Sequence, residues 1–145
     1  MIGGKDSVFN VYSNSTFTTL EVSAQGDFIV AGTQDSGWVF IPTATPDRYV
    51  KIPSKNGFET AGFYFDETRN QLWVQENPGV HGFKNLLQYD IGGTVPVMMS
   101  SISHQSLGLA EIDDAVFAFD FRHNKLYVQS GIRQLLLFDL GKRTI

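Results

Sequence analysis

The sequence predicts an all-β chain made of repeats, and three observations carry that expectation. Its aromatic and β-branched residues fall in short runs, interrupted about every ten residues by Gly, Asn, Asp or Pro. No stretch of a dozen residues sustains helical spacing of apolar positions. SLGLAEIDD, residues 106–114, comes nearest, and its Gly and short length argue against a stable helix. Third, three segments align with one another: FTTLEVSAQGDFIVAGTQDSGWVFIPT, TAGFYFDETRNQLWVQENPGVHGFKNLLQYDIGG and AVFAFDFRHNKLYVQSGIRQLLLFDLGK.

Taken in order, residues 8–13 form a first strand, alternating Val8, Asn10, Tyr12 against Phe9, Val11, Ser13. In the first repeat strands are expected at 17–23, 27–33, 37–42 and 47–52, with a turn at Gly26. TQDSGW, residues 33–38, is read as a β-turn in which Asp35 accepts amide hydrogen bonds and Gly37 takes a dihedral open to glycine. The second repeat places strands at 60–66, 71–76, 85–91 and 95–101, with its turn at Asn70. The third places them at 115–121, 125–130 and 134–140, with its turn at Asn124. Val30, Trp73 and Tyr127 are equivalent second-strand positions and are expected to pack between repeats.

The third-strand aromatics Phe40, Tyr89 and Phe138 recur at intervals of 49 residues. A period in the forties with about four strands per repeat is that of a β-propeller blade. FDFRHNKLYV followed by LLLFDL is similar to the second and third blade strands of WD-repeat, YVTN-type and NHL-type propellers. Tyr89-Asp90 and Phe138-Asp139 stand where a WD repeat has its Trp-Asp pair, although the Gly-His pair is absent and the first repeat has Phe40-Ile41 at that place. The resemblance spans about Phe17 to Leu140. It implies one domain over 1–145, with blades at about 17–54, 58–102 and 114–145.

The third blade lacks a strand. Residues 8–13 are expected to complete it beside Gln134–Leu140, in the same chain or in a second copy, removing an exposed edge; alternatively GKRTI begins a fourth strand. Three blades do not readily close a ring, since propellers have about four to eight. The chain is therefore expected to be part of a longer propeller or half of a six-bladed homodimeric ring, with a non-propeller β-sandwich as the remaining alternative.

Composition bounds the function. The net charge of −4, with no block of like charges, suggests no footprint for nucleic acid or an anionic membrane. Apolar runs of four to five residues are too short to span a bilayer. The start, MIGGKDSVFN, lacks a secretory core, which slightly favours the cytoplasm. With no cysteine, disulfides and thiolate metal sites are excluded. His81, His104 and His123 form no paired motif, and no nucleophile elbow, phosphate loop or zinc motif occurs, so no catalytic residue, metal or cofactor is expected. Glu111 with Asp113 and Asp114 would bind a cation only if other blades added ligands; hydrogen bonds to loop amides are the plainer expectation.

Loop length points to a working face. Val30 and Phe40 are 10 residues apart, Val74 and Tyr89 are 15, and Val128 and Phe138 are 10. The middle blade thus carries extra residues in the loop 76–84, and so does the connection 103–114 after it. In a propeller both emerge on one face, where rigid folds carry their functional loops. The leading expectation is a protein-binding scaffold: Phe83, Val80, Leu107 and Leu109 would make apolar contacts, and His81, Lys84, His104, Glu111, Asp113 and Asp114 would surround them. The partner is another protein or the remaining blades. The alternative is a metal-dependent hydrolase or lyase, whose ligands would line the channel at the starts of first strands. Only Glu59 and Asp114 stand there.

Overall fold

A computed structural model of the chain describes residues 15–131 and 134–145, so the expected strand at 8–13 lies outside the described residues. Eleven strands are seen among the described residues. The first blade holds β1 (Phe17–Val22), β2 (Phe28–Thr33), β3 (Trp38–Pro42) and β4 (Val50–Ile52). The second holds β5 (Glu59–Asp66), β6 (Gln71–Asn77), β7 (Asn85–Asp90) and β8 (Val97–Ser103), and the third holds β9 (Ala115–Asp120), β10 (Lys125–Ser130) and β11 (Gln134–Asp139). Each sheet is an antiparallel meander in chain order. Together they are three successive propeller blades, with four, four and three strands.

Departures from the expected bounds have local causes. β4 is short because Pro46–Arg48 closes a 3-10 turn, which Pro46 starts readily because its missing N–H has no partner there to lose. β8 begins after Pro96, which cannot donate to a ladder. GKRTI begins no further strand within the described chain. It turns back on itself, and Thr144 bridges to Asp139. The TQDSGW turn is held by Thr33, not Asp35. Thr33 Oγ1 donates to the Gly37 carbonyl at 2.7 Å and accepts the Ser36 amide at 2.9 Å, whereas Asp35 accepts the hydroxyls of Ser15 and Ser36.

The β5–β6 and β9–β10 turns are copies of each other. Asp66 accepts the Arg69 amide and guanidinium; Asp120 accepts the His123 amide and pairs with its ring, Nδ1 to Oδ2 at 2.8 Å. Asn70 and Asn124 then take the left-handed conformation, at φ of 51° and 57°. His123 is thus a structural turn residue.

The core lies between blades. The first blade turns Val30, Trp38 and Phe40 toward the second, where they meet Phe63, Leu72, Val74 and Tyr89. Trp38 stands edge-on to Phe63 and Tyr89, with centroids 5.6 and 5.1 Å apart. From its other face the second blade sends Trp73, Leu86 and Ile102 against Phe117, Leu126, Val128 and Phe138 of the third. Successive strand residues point to opposite faces, so the unbroken apolar run Leu72-Trp73-Val74 is what a doubly covered blade requires. The third blade is covered once, and β10 alternates buried Leu126, Val128 and Ser130 with exposed Tyr127 and Gln129.

Ladder registers correct two expectations. Val30, Trp73 and Tyr127 do share a position, each two residues past the pair that closes the first hairpin. Val30 and Trp73 are buried between blades, whereas Tyr127 is 41% exposed, because no blade follows it among the described residues. The aromatics 49 residues apart do not all correspond. Phe40 pairs with Val30, Gln88 with Trp73 and Leu137 with Tyr127, so the register mate of Tyr89 and Phe138 is Ile41. One residue of offset reverses the face. Phe40 points to the blade after its own, Tyr89 and Phe138 to the blade before.

Candidate functional site

The two long loops meet. Residues 78–84 leave β6 and residues 104–114 leave β8, and backbone hydrogen bonds join them: the His104 amide donates to the Lys84 carbonyl at 2.9 Å and the Phe83 amide to the Glu111 carbonyl at 3.0 Å. Asp114 Oδ1 accepts the Gly82 amide at 2.6 Å, and Lys84 Nζ lies 3.2 Å from Glu111. Gly82, at φ +96°, is needed twice over. Its backbone is left-handed, and a Cβ there would collide with the Glu111 carbonyl.

Inside the long connection, Gln105–Leu107 form a 3-10 turn closed by left-handed Gly108. His104 Nδ1 donates to the Leu109 carbonyl at 2.9 Å, and Asp113 accepts the Ala110 amide at 3.0 Å. The loop therefore consumes much of its own polarity. Hydrogen bonding from Gly82, then from His81, whose ring lies 3.4 Å away, holds the Asp114 carboxyl below the usual range.

This geometry revises the expected contacts. Phe83 and Leu107 are wholly buried and Leu109 nearly so. They plug the second interblade core, with Phe83 packed 4.8 Å from Phe117 between ring centroids. They cannot touch a partner while the blades are packed. His104 and Asp113 are spent on the loop's own backbone. The exposed members are His81 and Asp114, with Lys84 and Glu111 half-buried, and Val80 at 78% exposure and Ile112 at 84%. Ile112 was missed; its signal is a β-branched apolar residue set between acidic residues outside any strand.

Chemically the face offers exposed aliphatic tips ringed by fixed charges. Among the described residues no three His, Cys, Asp or Glu side chains gather in a way that would hold a metal. At the starts of the inner strands, Asp114 is held by Gly82, and burial raises the Glu59 carboxyl above its ordinary value. Nothing at this position favours the hydrolase alternative.

No protein-family model matches the sequence, and no curated protein matches it. Among solved structures, the chain is similar to the β-propeller domain of Myceliophteria thermophila Cps50 (Swd1), with a TM-score of 0.62 at 13% identity. The match covers 88% of this chain and 38% of that one. At this identity the likeness is one of fold: these are propeller blades, spanning well under half the length of the propeller they resemble.

Proposed function

We propose that the chain is a protein-interaction propeller module of WD-like repeats, which engages its partner through the clasped face of residues 78–84 and 104–114. One observation carries this reading: two loops from different blade positions are locked to each other, yet leave Val80 and Ile112 in water. Aliphatic side chains on a pre-ordered backbone bind without the usual entropic cost of ordering a loop. His81, Asp114, Lys84 and Glu111 then form a polar surround that sets orientation. The Tyr89-Asp90 and Phe138-Asp139 pairs support the repeat type, since Asp90 and Asp139 each accept an amide two residues on.

The test is a joint Val80→Ser and Ile112→Ser substitution, which touches neither core. Binders selected by display against the unaltered chain should lose about tenfold or more in affinity for the variant, equivalent to about 1.4 kcal/mol, with its melting temperature unchanged. Binders indifferent to both substitutions place the working surface elsewhere.

The open face of the third blade favours a second contact. Val116, Tyr127, Leu135 and Leu137 lie together on it, and Tyr127 occupies the register that Val30 and Trp73 fill against a following blade. We propose that a further blade docks here, supplied by a second copy or by the rest of a longer ring.

A further inference from the structure

Between the first and second blades, beside the origin of the shorter long loop, lies a cleft of about 170 Å³. Phe58, Leu87, Tyr89 and Met98 line it, and the Glu76 carboxylate enters it from the end of β6. Glu76 Oε1 accepts the Asn85 amide group at 3.2 Å. No cation pairs with it among the described residues: Lys84, the nearest in sequence, is committed to Glu111, and Lys55 lies on the exposed lip. Burial raises the Glu76 carboxyl above its ordinary value, and burial together with the Glu76 charge raises Tyr89. A half-buried carboxylate without a counter-ion is costly to keep.

We propose that this cleft binds an alkylammonium group, the group at the tip of a lysine side chain. Three features select it. The cleft, at about 170 Å³, suits a small group such as a butylammonium and lies below the roughly 300 Å³ at which small-molecule sites begin. Asn85 already occupies one lone pair of Glu76 Oε1, so Oε2 is the less engaged oxygen, better suited to a point charge than to the paired N–H groups of a guanidinium. The wall is apolar enough for methylenes, and the Phe58 ring already draws an ammonium, with Lys84 Nζ 5.7 Å from its centroid.

The site does not depend on the clasped loops as a binding face. The probe is n-butylammonium chloride, titrated near neutral pH against the isotope-labelled chain with NMR detection. Saturable shifts are expected at Phe58, Leu87, Tyr89 and Met98, with a dissociation constant on the order of 1–10 mM for so small a ligand. Glu76→Gln, which keeps the Asn85 hydrogen bond, should weaken binding at least about tenfold, as loss of a charged hydrogen-bond acceptor does. Acidification should weaken it as Glu76 protonates, Lys55→Gln should strengthen it, and the joint Val80→Ser and Ile112→Ser variant should bind as the unaltered chain does. Tighter binding of a capped lysine than of a linear diamine would assign the site to a polypeptide partner, and the reverse order to a free amine. Absence of saturable shifts, equal binding by Glu76→Gln, or equal binding of n-butanol would overturn the proposal.

Discussion

Single residues in this chain take their meaning from the face they occupy. Trp73 and Tyr127 are register equivalents and both aromatic, yet Trp73 is 2% exposed between two blades while Tyr127 stands in water. Trp73→Ala should therefore cost roughly 3–5 kcal/mol, by loss of transfer energy and opening of a cavity. Tyr127→Ala should cost well under about 1 kcal/mol, in the range of surface substitutions. Chemical denaturation of both variants measures the contrast, and equal losses would show Tyr127 covered in solution. Phe83 and Leu107 make the converse case. An aromatic and a leucine within loops flanked by His, Lys, Gln and Ser read as exposed contacts, because strand periodicity stops at the loop and nothing in the local pattern says which way a loop side chain turns. The hydrogen bonds between the two loops set the backbone from which they turn inward.

The strands were nearly all legible in the sequence, since runs such as QLWVQE and KLYVQS are bounded by turn residues whose conformations are as their types demand. Register was not. The repeated interval from Phe40 to Tyr89 to Phe138 conceals a one-residue offset, because the first blade follows different turns into and out of its second strand. Turns also carry the pH response. At the end of β11, Asp139 pairs with Lys125 Nζ at 2.6 Å and accepts the Gly141 and Lys142 amides; the Lys125 hydrogen bond, first, and the Lys142 amide, next, lower its carboxyl to about 2. A carboxylate lowered by folding stabilises the native state above its ordinary value of 3.8, and that stability is lost as pH falls toward about 2. Asp114 and Asp120 act in the same direction, while Glu76 is raised and acts oppositely, weakening the fold as pH rises through its titration. Thermal melts across this acid range should show a shallower loss of stability for Asp139→Asn than for the unaltered chain. Parallel acid limbs would mean that the turn does not hold in solution.

At the scale of the whole molecule, two interblade cores are shared among three blades, and of the two outer faces that of the third blade is exposed. Leu135 is 71% exposed on that face, in an outer strand with few charges, so the chain should self-associate with rising concentration. Leu135→Glu with Leu137→Lys should suppress the association in sedimentation experiments while leaving the far-ultraviolet circular dichroism intact; undiminished association would locate the contact on another surface. The sharing of cores also sets an order in time. The first core draws only on residues from Val30 to Ile91, so it can close as soon as the second blade has been synthesised. The second draws on Trp73 and Leu86 but waits for Phe138 and Leu140, which a whole further blade separates from them. During translation Trp73 is therefore exposed for most of the time it takes to make the third blade, and that interval is when a nascent chain most needs a chaperone.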